Sequence, residues 1–152
     1  MDPLLSDASL EAVRQRRAEL RESLGRLEHA LAAPAPQRMD AWVSGVSAAL
    51  AGLSEDFRTH IAVTEGPDGL YQGVLTSSPR LAYAVETLQN EHGDISACID
   101  DLRTSVDGAA SSEGVDQVRE LGVSLLSRCI RHRQRGADLV YQAFEADIGG
   151  ET

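Results

Sequence analysis

Three of the chain's four histidines occupy positions that helical spacing reserves for apolar side chains. His60 falls in the series Val46, Leu50, Leu53, Phe57, His60, Thr64. His92 falls in Leu81, Val85, Leu88, His92, Ile95, Ile99, Leu102, Val106, and His132 in Val115, Val118, Gly122, Leu125, Cys129, His132, Gly136, Leu139, Ala143. Steps of three and four residues keep each series on one helical face. A buried imidazole needs a partner for each ring nitrogen. Three of them pointing inward from separate helices form an arrangement suited to a metal ion. The carboxylates that could complete the shell are Asp56, Glu65, Glu91 and Asp138. Asp56 precedes His60 by four residues, and such a pair could share a cation. Glu65 follows His60 by five residues and Asp138 follows His132 by six, so both are rotated off the stripe of an ideal helix. Thr64, Ser96 and Gly136 are small residues on the inward faces and could leave a cavity beside the rings. Catalysis would require an open coordination position and a substrate pocket.

The elements that must carry these side chains are helices. Ser6 or Asp7 can cap the first, whose stripe is Leu10, Val13, Leu20, Leu24, Leu27, Leu31, interrupted by Arg17. Ala33-Pro34-Ala35-Pro36 ends it, because proline disfavours a helical conformation in the preceding residue. The second helix ends at Gly66-Pro67-Asp68-Gly69, a run of turn formers. Ser78-Pro79 opens the third, and Asp107 to Ser112 separates it from the fourth. The expected spans are 7–32, 40–65, 79–105 and 113–146, with no competing strand pattern. The fold class expected is all-α, an up-down-up-down four-helix bundle forming a single domain over 1–152. Leu70 to Ser78 is neither long nor periodic enough to assign. It matters nonetheless, since His60 lies about five residues from its helix end and His92 thirteen beyond Pro79. That offset is roughly 12 Å at 1.5 Å per residue. For the two rings to meet, residues 66–78 must add height, as a helical extension or a folded-over cap.

Composition removes several chemistries. The 14 positive charges are all arginine, so a Schiff-base or lysine-nucleophile mechanism is excluded. A net charge of −10 argues against nucleic acid as a partner. Arginines cluster at Arg14, Arg16, Arg17 and at Arg128, Arg131, Arg133, Arg135; each cluster reads as a solvated helix face, the first flanked by Glu11, Glu19 and Glu22. Two cysteines are too few for a disulfide scaffold, and Cys129 reads as a small buried hydrophobe. The first seven residues lack the basic start and apolar run of a signal peptide, and no apolar stretch approaches the roughly 20 residues of a membrane span. The expectation is a cytoplasmic protein with no membrane partner. His29 lies beside the first stripe and reads as a surface residue. The regular leucine face of the first helix could instead serve a homodimer.

The run His60-Ile61-Ala62-Val63-Thr64-Glu65, the pair Glu91-His92, and Arg131-His132 through Asp138 resemble the hemerythrin or HHE cation-binding family over most of the chain. That family is an up-down four-helix bundle holding a non-haem di-iron centre. The resemblance implies His60, His92 and His132 as ligands, with Glu65 and Asp138 as the carboxylates of the second and fourth helices. Each carboxylate arrives one residue late, where the pattern finds Thr64 and Ala137, and Ser96 stands at the place of a second histidine on the third helix. A one-residue helical bulge could bring Glu65 or Asp138 inward. The implied cofactor is iron, mononuclear or dinuclear, with zinc or manganese compatible with the same donors. The implied ligand is dioxygen or another small molecule, for oxygen binding, sensing or oxygen-dependent oxidation. The alternative is a metal-free degenerate bundle acting as a protein-interaction module, its histidines satisfied by Asp56, Thr64, Ser96 and water.

Overall fold

A computed structural model describes residues 7–109 and 111–145. The helices are α1 (Asp7–Ala32), α2 (Met39–Glu65), α3 (Leu70–Ser77), α4 (Ala82–Asp107) and α5 (Ser112–Val140). A 3₁₀ turn, Pro79–Leu81, leads into α4, and a π-helical turn, Tyr141–Glu145, follows α5. The protein is all-α, and its four long helices form a bundle in which α1 packs on α2 and α5, and α4 on α5 and α2. The alternative helix start at Ser6 and the expected last residue of the fourth helix, Ala146, lie outside the described residues. No helix among the described residues is long and apolar enough to cross a membrane.

The apolar stripes read from the sequence are the buried faces. Val46 to Thr64 on α2, Val85 to Val106 on α4, and Val115 to His132 with Leu139 on α5 point inward, as do Val13, Leu20, Leu24, Leu27 and Leu31 on α1. The leucine face of α1 is therefore covered by the chain's own core. Helix ends are closed by specific donors. Ser111 accepts the Gly114 N–H at 3.2 Å as the N-cap of α5. At the end of α1, Arg119 donates from Nε to the Leu31 carbonyl and from Nη2 to the Ala33 carbonyl, both at 2.9 Å. Its guanidinium also lies 5.5 Å from the Trp42 ring centroid. One side chain of α5 thus satisfies a carbonyl in the last turn of α1 and another just past its end.

The unassigned segment is a helix of its own. At 1.5 Å per residue the eight residues of α3 span about 12 Å, and with this helix in the connection the rings of His60 and His92 come together. Leu70, Tyr71 and Val74 pack with Val13, Leu81, Val85, Leu88, Leu139 and Ala143 in an apolar cluster separate from the main one. The main core gathers Leu20 to Leu31 of α1 with Leu50, Leu53, Phe57, Ile95, Ile99, Leu125 and Cys129. Gly69, just before α3, has no room for a side chain: an added Cβ would stand 2.5 Å from the Val63 carbonyl oxygen and 2.8 Å from that of Thr64. The chain turns tightly over the end of α2 there, and Tyr71 follows two residues later.

Candidate metal centre

The three histidines meet. His60, His92 and His132 are 8%, 2% and 4% exposed, and each offers a ring nitrogen within 4.8 Å of the other two. Ring centroids are 5.1 Å apart for His60 and His92, 5.4 Å for His60 and His132, and 4.7 Å for His92 and His132. Phe57, from the main core, closes one side with its centroid 5.6–6.2 Å from the three rings. Tyr71, from the second cluster, stacks on His92 at 5.7 Å. The imidazoles form a polar layer between two apolar ones.

Two of the rings are oriented from behind by carboxylates. His132 Nδ1 donates to Glu91 at 2.8 Å, and Arg135 holds the other oxygen of that carboxylate. His92 Nδ1 donates to Glu65. Both rings thereby turn Nε2 inward. His132 Nε2 lies 3.2 Å from His60 Nε2, and His92 Nε2 accepts from the Tyr71 hydroxyl at 3.3 Å. Burial drives the His60 and His92 pKa values down to about 3 and that of His132 to about 4; for His60 and His92, neighbouring histidines add to the effect. Burial also raises Glu65, and it keeps the Tyr71 phenol protonated. The ion-pair geometry of Glu65 and Glu91 pulls the rings towards charge, but Glu91 is already neutralised by Arg135 and three touching imidazoles repel one another when protonated. The rings are neutral, the form that can bind a metal.

These donors could hold a metal ion. Two nitrogens at about 2.0–2.1 Å from a tetrahedral ion lie about 3.3 Å apart, and the His60 and His132 nitrogens stand at 3.2 Å. A carboxylate on the outer nitrogen of a ligating histidine fixes its tautomer and orientation; Glu65–His92 and Glu91–His132 both have this form. A chamber of about 30 Å³ borders His60 and His132 and is lined by Thr64, Tyr71 and Gly136. That volume accommodates about one water-sized molecule.

The remaining sequence candidates go elsewhere. Asp56 accepts from the buried Ser23 hydroxyl of α1. Asp138 is exposed and accepts from Gln134 at 3.2 Å. No bulge turns either late carboxylate inward, because α2 and α5 are regular through Glu65 and Val140 and the π turn comes after Asp138. Glu65 stands behind His92 and not beside His60. Thr64 lines the chamber but donates its hydroxyl to the His60 carbonyl at 2.8 Å, while Ser96 faces a different groove with Ser54 and Arg58. His29 is exposed on α1. Sequence reasoning missed Tyr71, which sits in the segment too short for periodicity; Leu70, Tyr71 and Val74, spaced for one helical face after a turn, were the available signal. No family model, no curated protein and no solved structure matches this chain.

Proposed function

We propose that the protein is a hemerythrin-like metal protein in which His60, His92 and His132 hold a single ion, iron in the first instance, and that it binds or senses dioxygen or a molecule of similar size. The observation that carries the reading is the pair of carboxylate–histidine contacts that fix the His92 and His132 tautomers in a cluster of three imidazoles whose ring nitrogens lie within 4.8 Å of one another. One ion is favoured over two because Asp138 is exposed and bonds to Gln134, and Glu65 bonds to the outer nitrogen of His92, so neither carboxylate that the resemblance implies for a pair stands among the three rings. Iron follows from the family resemblance, and imidazole donors suit zinc as well. When bound, iron would supply the electrons for reversible oxygen binding or oxygen-dependent oxidation. The chain's own residues would orient the ligands through Glu65 and Glu91, limit access to small molecules through the chamber, and present the Tyr71 O–H beside it. That hydroxyl occupies the His92 lone pair that an ion requires, so loading must release it.

The test is elemental analysis and an absorbance spectrum of the full chain produced in iron- and zinc-supplemented medium. About one ion per chain is expected, lost in His92→Ala and in His132→Gln while both variants keep the helical circular-dichroism spectrum. Wild-type protein without stoichiometric metal would overturn the reading. It would favour the metal-free interaction module, which one observation supports: among the described residues every buried side-chain polar atom has a partner without an ion.

A further inference from the structure

Arginines of α1 meet one arginine of the α5 cluster across the bundle. Arg14, Arg17 and Arg21 lie three and four residues apart on α1, and Arg133 with Gln134 faces them from α5. They line a solvent-facing cavity of about 360 Å³ whose other lining residues are the small Ala18 and Ala137. Among the described residues no carboxylate lines it. Of the acids that flank the α1 cluster in sequence, Glu19 pairs with Arg16 at 2.6 Å and Glu22 with Arg26 at 3.6 Å, outside the cavity, and Glu11 pairs with the exposed, cavity-lining Arg14 at 3.7 Å. Among the described residues Arg17, Arg21 and Arg133 make no ion pair. Arg17 is half-buried; burial first, then the Arg133 and Arg14 charges, lower its pKa from the usual value. The other arginine groove of α5 differs, since Glu91 and Asp94 stand among Arg128, Arg131 and Arg135.

A chain with 24 acidic residues and 14 arginines has carboxylates to spare. Gathering unneutralised guanidiniums around one cavity raises the energy of the empty protein and lowers that of a complex with an anion. We propose that the cavity between α1 and α5 is a binding site for the phosphate group of a small soluble molecule, held by Arg14, Arg17, Arg21 and Arg133. Planar guanidiniums bind phosphate oxygens in pairs, and a cluster of this charge suits a dianion better than a single carboxylate. The volume lies at the small end of the roughly 300–1,000 Å³ typical of ligand sites. A net charge of −10, with Glu11, Glu19 and Glu22 on the same helix as Arg14, Arg17 and Arg21, disfavours an anionic lipid surface as the source of the phosphate. Arg17 and Arg133 also line the chamber beside His60 and His132, so the anion sits at the outer wall of the histidine layer. The assignment does not depend on a metal there.

The test is thermal melting and titration calorimetry of the full chain with inorganic phosphate, at ionic strength held constant with sodium chloride. Wild type should show a saturable rise in melting temperature. Arg17→Gln and Arg133→Gln should each weaken binding at least about tenfold, with phosphate-free melting unchanged or higher because like-charge repulsion is relieved. Arg26→Gln, whose partner is Glu22, should bind as wild type does. Binding should persist in EDTA, which separates these arginines from any ion at the histidines. The proposal is overturned if phosphate acts no differently from chloride, if both variants bind as wild type does, or if EDTA abolishes binding. Arg133-dependent retention on phosphatidylglycerol vesicles with no response to free phosphate would likewise overturn a soluble ligand.

Discussion

Lowering the pH from 8 to 5.5 should destabilise the EDTA-stripped protein by about 4 kcal/mol, and the histidine layer is the cause. An unfolded chain exposes His60, His92 and His132 at an ordinary pKa of about 6.5, whereas burial holds them at about 3, 3 and 4 in the folded chain. Below pH 6.5 the unfolded state therefore binds more protons than the folded one, and stability falls as pH falls. The contribution is fully present above pH 6.5 and is lost progressively towards pH 4. Each ring accounts for about 1.4 kcal/mol at pH 5.5. Glu65, raised by burial, works in the opposite direction and trims the loss at the acid end. With a urea slope of about 2 kcal/mol per molar, the midpoint should drop by about 2 M. Urea titrations followed by circular dichroism at pH 8, 7, 6 and 5.5 measure it directly. His132→Gln should remove about a third of the pH dependence while lowering stability at pH 8. A wild-type midpoint that moves by less than about 0.5 M across this range would show that the rings are not held neutral, and the burial argument would fail with it.

Glu91→Gln keeps an acceptor for His132 Nδ1 but removes the charge shared with Arg135; metal affinity, measured by chelator competition, should fall about 10–100-fold while the helical spectrum is retained. Arg119→Met should lower stability by about 2–3 kcal/mol, since it leaves the Leu31 and Ala33 carbonyls without their charged donor. A urea midpoint equal to wild type would show that water replaces those contacts without loss.

The stripes were legible because helical periodicity is local: spacing alone places Val46 to Thr64, or Leu125 to His132, on one face. Whether faces of different helices meet at the same height is not a local property. It depended here on the connection from α2 to α4, where α3 is too short to announce itself by periodicity. The carboxylates were hidden for a related reason. Glu91 is the sequence neighbour of His92, yet one helical step of about 100° sends it across to His132 on α5. Glu65 likewise leaves His60, on its own helix, for His92. Asp56, which shares the His60 face by spacing, meets Ser23 of α1 before it meets the rings. Partner choice across an interface is set by which side chain arrives first, and a single helical wheel does not contain that information. The arginines of α1 make the same point, since in sequence they resemble a solvated face and only the fold brings Arg133 of α5 opposite them.

The position of the rings explains why a polar layer is tolerated at all. Phe57 and Tyr71 bring apolar surface to the imidazoles from the two clusters on either side, so neither cluster is interrupted. The polar edges are met by Glu65, Glu91, Tyr71 and one another. A core built only for stability would place leucines here and dispense with Glu65, Glu91 and Arg135, because burying hydrogen-bonded polar groups is at best weakly favourable against apolar packing. Keeping three neutral imidazoles in contact, two of them braced by carboxylates, is a costly way to fill a bundle and an economical way to hold a cation. The difference is measurable. Replacing all three histidines with leucine, with Glu65 and Glu91 changed to methionine so that no carboxylate loses its partner, should stabilise a protein that never binds metal, and should remove the metal-dependent part of the stability of one that does.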